Sequence, residues 1–454
     1  MKEWLSRRQF IGTSFILGAL GPGCITPSLC AKRWYKGNLH MHSFWSDGRA
    51  FPEEAIMWYK SRGYDFVGLS DHNVFQDNKD RWVAVKEDVA SRYLKAFPNA
   101  QMRTDAKGCK QFRLKTFEEL CASFNEDGKF LVVADVEATR TTELADGRVH
   151  QLHMNYVNVP ELLPSYRRKD FVRTLKNKDV GEFLGDNVRE TEEVAKRLGC
   201  KHLFSLNHPI WRWYDVGPQE LIDNPQVRFF ELCNNGSPYA PGAELPQDGF
   251  DTDRLWDVVN AFRARRGEEL LYGIGTDDTH YYYGEPTQMC MAGNAWTKVR
   301  ARSLNVDDII DAMMAGDSMV CEMLEMDDIS FDRSSGRLEV SVGASAGVSR
   351  TVKFIVTKKD FSEKPIRTLT VRPVEKNDSA MFERKIDIYD EKIGLVVKTV
   401  KGGIGDSIKA SYTLQDDDLY VRARVEESAQ PLCTAHLHPQ GKHVAWTQPY
   451  RKQA

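Results

Sequence analysis

Short apolar runs rich in β-branched residues recur over the first 280 positions, and most of them end on a histidine or a carboxylate. "KGNLHMH", "DFVGLSDHN", "KFLVVADVEA", "KHLFSLNHP", "VRFFELCN" and "LLYGIGTDDTH" read as buried strands. Helical segments lie between them. In "FPEEAIMWYKSRG", Pro52 suits the first helical position, Glu53 and Glu54 suit the positive end of the dipole, and Gly63 marks the stop. A second helix over 182–198 spaces Leu184, Val188, Ala195 and Leu198 along one stripe, and "RLWDVVNAFRARR" and "NVDDIIDAMMAGD" supply two more. Strands alternating with helices predict an α/β fold with a parallel sheet or barrel. Residues 75–128 interrupt it as a polar, irregularly helical insertion.

From about residue 325 the period changes from mixed to two. "GRLEVSV", "RTVKFIV", "IRTLTV", "GLVVKTV" and "LYVRARV" alternate apolar and polar positions, which predicts an antiparallel β-sandwich with one face of each sheet buried. The expected organisation is a leader over 1–30, a β/α domain over 31–325 and a sandwich domain over 326–454. The leader, "MKEWLSRRQFIGTSFILGAL", carries Arg7–Arg8 before a weakly apolar stretch, in the manner of a twin-arginine export signal. Its apolar run is shorter than the roughly 20 residues of a spanning helix, so the expected product is periplasmic or extracellular, without a transmembrane span. The Gly21–Pro22 flank argues against a lipid anchor on Cys24.

Composition narrows the class. A net charge of −3 over 454 residues lacks the basic excess of a nonspecific polyanion binder, so no nucleic-acid partner is expected. The nine cysteines form no CxxC pair or zinc-finger spacing. The basic run "RRKDFVRTLKNK" (167–178) reads as a solvated face, with a lid over an anionic substrate as the sharper alternative.

The candidate chemistry lies at the strand ends. His40 and His42 stand two apart on a strand and so share a face. Asp47, His72, Glu137, His153, His208, Asp278 and His280 follow at the ends of later runs. Residues at the C-terminal strand ends of a parallel barrel converge on one mouth, so these positions predict a single pocket. Imidazole and carboxylate without thiolate suits zinc, manganese or iron. Glu137 is the most telling of the set, because burying an unpaired carboxylate in an apolar run is costly. His436, His438 and His443 form a second, C-terminal group that reads as exposed.

"NLHMHSFWSDGRAFPEEAIMWYKSRGYDFVGLSDHN" resembles the opening of the polymerase and histidinol phosphatase (PHP) superfamily of metallohydrolases, and the later motifs match in order over roughly 34–320. The ending "AWTQP" narrows the resemblance to the carbaryl-hydrolase-like branch, whose members cleave ester or amide bonds. The resemblance implies a distorted seven-stranded β/α barrel holding two or three divalent metal ions. It implies a first metal on His40, His42, Glu137 and Asp278, a second on Glu137, His153 and His208, and a third on Asp47, His72 and His280. His150 competes with His153 and Asp277 with Asp278; the Asp-x-His spacing favours Asp278.

Such ions would activate a water against phosphorus or carbonyl carbon, so no protein nucleophile is required. The expected function is an exported metal-dependent phosphoesterase acting on a small anionic molecule. An ester or amide hydrolase of the same fold and a non-catalytic metal-containing binding protein are the alternatives. Trp45, Trp211, Trp213 and Tyr281–Tyr283 are candidates for the mouth, and Arg49, Arg140, Arg212 and Tyr281 for substrate contact.

Overall fold

The structure, a computed structural model, describes residues 31–166, 176–210, 216–234, 251–284, 290–371, 384–428 and 443–452. It is a mixed α/β protein with several sheets. The leader and the centre of the basic run lie outside the described residues. No described helix is long and apolar enough to cross a membrane.

The expected parallel strands form, in two groups. Arg33–Asn38, Phe66–Leu69 and Leu131–Ala134 run parallel at one end of a nine-stranded sheet. Leu203–Leu206, Phe229–Asn234 and Tyr272–Thr276 run parallel in a six-stranded sheet, which continues antiparallel through Val149–Val157 and Glu137–Leu144. Apolar side chains of both sheets, among them Leu39, Phe66, Val133, Leu203, Phe229 and Ile274, bury one another in a common core.

The closed seven-stranded barrel is not what the hydrogen bonds make, since neither sheet closes on itself. The reason is edge occupancy. Arg33–Asn38 has Phe66–Leu69 on one side and the antiparallel strand Ala295–Ala301 on the other, so no edge is left for Tyr272–Thr276. That last strand packs across the nine-stranded sheet instead. A Cβ on Gly275 would sit 2.6 Å from the Trp296 carbonyl oxygen, so the crossing needs a glycine there. The sheets are stitched where the parallel strands end, by the bridges Met41–Thr279 and His72–Glu137.

The helices start where the side chains dictate. Pro52 opens Pro52–Lys60. The Asp179 carboxylate caps Val180–Leu198, which stops at Gly199 with φ +67°, and the Asn305 side chain caps Val306–Met314. Glu53 and Glu54 do more than complement a dipole. Both are buried, accepting from Tyr93 at 2.8 Å and from Arg92 at 2.8 Å, and so dock the 75–128 insertion on the first helix. That insertion also builds a three-stranded antiparallel sheet (Trp82–Ala84, Met102–Thr104, Lys110–Arg113) in a stretch whose polar sequence had suggested irregular helix alone.

All five period-two runs beyond residue 325 are strands. Arg350–Lys358, Leu395–Lys401 and Asp418–Glu427 extend the nine-stranded sheet, and a three-stranded sheet of Asp328–Asp332, Arg337–Val342 and Ile408–Thr413 shares a core with them. The alternation selects the buried faces, Leu338–Val340–Val342 on one side and Val352–Phe354–Val356 on the other. The nine-stranded sheet runs without interruption past the expected boundary at 325, through Ser318–Glu322 and Val444–Thr447.

A buried ion network joins this region to the helix Thr252–Arg265. Arg422, 1% exposed, meets Asp257 at 2.6 Å and Asp253 at 3.0 Å. Removing the cation would strip buried Asp257 of its guanidinium partner and leave it the Tyr420 hydroxyl, while Asp253 keeps Arg424 at 3.1 Å. Arg422→Ala is therefore expected to lower stability by about 3–5 kcal/mol, read by urea unfolding; a loss below about 1 kcal/mol would show that water replaces the guanidinium at little cost.

Candidate metal centre

His40 and His42 leave the strand Arg33–Asn38, His72 follows Phe66–Leu69, and Glu137 follows Leu131–Ala134 after a two-residue break. His153 projects from the middle of Val149–Val157. His208 follows Leu203–Leu206, and Asp278 and His280 follow Tyr272–Thr276. Both His208 (φ +21°) and Asp278 (φ +48°) take left-handed backbone that their side chains do not favour.

The structure brings all nine candidate ligands together. Glu137 is the hub. Its Oε2 lies 3.1 Å from His40 Nε2, 3.2 Å from His42 Nε2 and 3.0 Å from His72 Nδ1. Its Oε1 lies 3.0 Å from His153 Nδ1 and 3.6 Å from His208 Nε2. Asp278 Oδ1 stands 3.2 Å from His40 and 3.1 Å from His42. At the outer end, Asp47 meets His280 at 3.3 Å and both His72 and His42 at 3.7 Å. Three groups of donors could each hold an ion: His40–His42–Glu137–Asp278, His72–Glu137–His153 and His42–Asp47–His72–His280. His42 and His72 thus each stand between two groups, which sequence alone did not show.

The competing assignments separate on geometry. His153 pairs in register with Thr139 and faces Glu137, whereas His150, three residues away, falls on the opposite face of its strand. The Asp277 carboxylate is taken up by the backbone N–H groups of Gly293, Asn294 and Ala295 at 2.7–2.8 Å and by the Tyr59 hydroxyl at 2.7 Å, which leaves Asp278 as the donor.

Sequence reasoning missed Glu231. It is 1% exposed, accepts from Thr276 and Asn234, and holds His40 Nδ1 at 2.5 Å, fixing the ring so that Nε2 faces Glu137. The signal was present, a carboxylate inside the apolar run "FFELC", and is the one that pointed to Glu137.

The donor set fits divalent cations. Glu137, Glu231 and Asp278 are buried, and among the described residues their charged neighbours are imidazoles, with no lysine or arginine in an ion pair with them. Buried His40 Nε2 and Glu137 Oε2 lie 3.1 Å apart without a hydrogen bond, and buried His42 Nδ1, on the Asp47 side, makes none either. Such a cluster of lone pairs suits a cation better than it suits its own members.

Without metal, the histidines must carry the balancing charge. Burial opposes the charged form of His40, but Asp278, Glu137 and Glu231 outweigh it and raise the ring well above its ordinary range. Burial likewise opposes charge on His280, yet the hydrogen bond to Asp47 pushes it up to about 12. Burial alone would raise Glu137; the charges of His72 and His40 hold it well below the carboxylate range. His40 and His280 therefore hold a proton at neutral pH and must give it up to bind metal. Loading at pH 7 is expected to release about one or two protons per chain, with affinity rising about tenfold per pH unit for each. Calorimetry in buffers of different ionisation enthalpy measures this; pH-independent affinity would contradict it.

Arg49 is exposed on the turn after Asp47, and its N–H donates to the His280 carbonyl at 2.8 Å. Tyr281 is half-buried beside His280. Arg140 does not face the cluster. It alternates with Thr139, so its guanidinium turns to the helix Val180–Leu198 and pairs with Glu190 at 3.2 Å and with Asn187. Trp45 packs in the core of the insertion rather than at a mouth. Tyr282 is buried, donating to the His42 carbonyl at 2.7 Å, and exposed Tyr283 carries Arg92 over its ring. Trp211, Arg212, Trp213, His436 and His438 lie outside the described residues. His443 is half-buried against Glu427 at 3.0 Å rather than exposed.

No protein-family model matches the chain, and no curated protein matches it. Among solved structures, the chain is similar to a two-domain protein from Bacteroides vulgatus containing a predicted PHP-like metal-dependent phosphoesterase. They share 13% identity over 95% of this chain and 100% of that one, with a TM-score of 0.38. It is also similar to an amidohydrolase from Chromobacterium violaceum with bound sulfate and no metal, at 12% identity over 52% of this chain and 87% of that one, with a TM-score of 0.24.

Proposed function

We propose that this chain is a metal-dependent hydrolase of the PHP type that cleaves a phosphoester of a small anionic molecule. The observation that carries this reading is Glu137, a buried carboxylate whose two oxygens each face a separate set of imidazoles. His40, His42, Glu137 and Asp278 would hold one cation, Glu137, His153 and His208 a second, and Asp47, His72, His280 and the far nitrogen of His42 a third. When bound, such cations acidify a water and polarise the substrate's oxygens.

The chain's own residues set direction and access. His40, His42 and Asp278 are buried, while His72 and His280 are 24% and 20% exposed and Asp47 is 53% exposed. Substrate therefore approaches from the Asp47 side, where Arg49 lies exposed on the same turn. Three donor groups in one pocket suit a phosphate, which offers several oxygens, better than a carboxyl ester, which offers one carbonyl oxygen. We further propose export by the twin-arginine route, on the Arg7–Arg8 pair.

The test is a panel of aryl phosphates, aryl esters and aryl amides given to the metal-loaded protein. Turnover of a phosphate ester at least tenfold above the best carboxyl ester is expected. Robust ester cleavage without phosphate turnover would overturn the substrate class, and no turnover of any member would favour a binding protein.

A further inference from the structure

Most candidate ligands sit on or beside strands, but Asp47 does not. It lies in the turn after His42, half in solvent, and its contacts to its three histidines are 3.3–3.7 Å. An exposed loop carboxylate serves a site only if the loop is fixed beforehand, because ordering it at the moment of binding costs conformational entropy.

One buried side chain fixes this turn. Asp71 is 0% exposed, and both its oxygens are committed to residues 43–46. Its Oδ1 accepts from the Ser43 N–H at 2.8 Å, the Ser46 N–H at 3.1 Å and the Ser46 hydroxyl at 2.7 Å. Its Oδ2 accepts from the Ser43 hydroxyl at 2.8 Å and from Gln76 Nε2 at 3.2 Å. Ser43 follows His42, Ser46 precedes Asp47, and Asp71 itself precedes His72. A single carboxylate thus ties the chain neighbours of three outer donors. The fourth, His280, is joined to the same turn through the Arg49 N–H. Hydrogen bonds to an ionised acceptor are the strong kind, and only a carboxylate can accept from four donors of one turn at once.

We infer that Asp71 is a positioning residue of the outer cation position: it presents Asp47 to His72, His42 and His280, and the buried position around Glu137 and Asp278 does not depend on it. This rests on the metal reading above. A residue of this kind touches neither cation nor substrate, so its loss changes how many ions are held and how tightly.

The experiment is a cobalt(II) titration of the metal-stripped full chain, followed by visible absorption and by metal counting after dialysis. It compares wild type, Asp71→Asn and Ser46→Ala, with thermal unfolding of each metal-free protein in parallel. Asp71→Asn is expected to weaken the most loosely held ion by about 10–100-fold and to leave the tightest within about twofold. Ser46→Ala removes the hydroxyl that donates to Asp71 at 2.7 Å and stands 3.3 Å from Asp47 itself, and is expected to weaken the same ion by a smaller factor. Unchanged binding of every ion in both variants would overturn the inference, as would equal weakening of all ions. Should Asp71→Asn fail to fold, Ser43→Ala, which removes a donor to Asp71 Oδ2 and not a contact of Asp47, decides by the same criteria. A wild type that binds no cobalt would remove the metal reading itself, whereas a loaded wild type with unaltered variants would remove only the role of Asp71.

Discussion

Replacing Glu137 by glutamine is expected to lower kcat/KM by at least about 1,000-fold, some 4 kcal/mol of transition-state stabilisation. The size follows from position. One oxygen of Glu137 lies 3.0–3.2 Å from His40, His42 and His72. The other lies 3.0 Å from His153 and 2.9 Å from Asn207 Nδ2, and among the described residues Glu137 is the side chain shared by both inner groups. Glutamine keeps the volume, removes the charge and turns an N–H₂ donor toward rings that need an acceptor. The variant is expected to fold, because charge, not shape, is lost, and to hold fewer ions. A loss below about tenfold with full metal content would show that Glu137 does not bridge.

Removing the metals from the wild type is expected to abolish turnover and lower the melting temperature by about 5 °C for each ion lost, as an ion supplied at about 1,000 times its dissociation constant contributes about 4 kcal/mol to a fold of this size. The loss should be reversible. In the metal-free state His40, His42 and His280 pair with Glu137, Asp278 and Asp47, so the pocket has internal partners and does not collapse. Restoring zinc, manganese or iron(II) is expected to recover activity to differing extents, set by how each ion suits a nitrogen- and oxygen-rich site. A melting temperature indifferent to chelation, or inactivation that no divalent ion reverses, would contradict this.

Much of the pocket was legible because its ligands end apolar runs, and a strand's end is where its direction points. His40, His72, His208 and Asp278 follow from that rule. The choice of His153 over His150 needed the register with Glu137–Leu144, which only the paired strands supply. The same alternation removes Arg140 from the pocket, since Thr139 takes the inward face. Barrel closure was not legible, because it turns on which strand claims the second edge of Arg33–Asn38. The winner, Ala295–Ala301, lies more than 250 residues away, and no local pattern announces such a pairing. The strands of the 75–128 insertion are three or four residues long, too short for an alternation to show, so periodicity had nothing to register. Glu231 was readable and overlooked: a carboxylate between Phe230 and Leu232 carries the same cost of burial as Glu137.

Anomalous diffraction from crystals of the natively loaded protein tests the metal centre most directly. Peaks are expected about 2.0–2.3 Å from His40 Nε2, His42 Nε2, Glu137 and Asp278, with a second beyond Glu137 toward His153 and His208 and a third beside Asp47. An anomalous map without a peak in this pocket, the imidazoles remaining bonded to the carboxylates, would contradict the assignment of these residues as metal ligands.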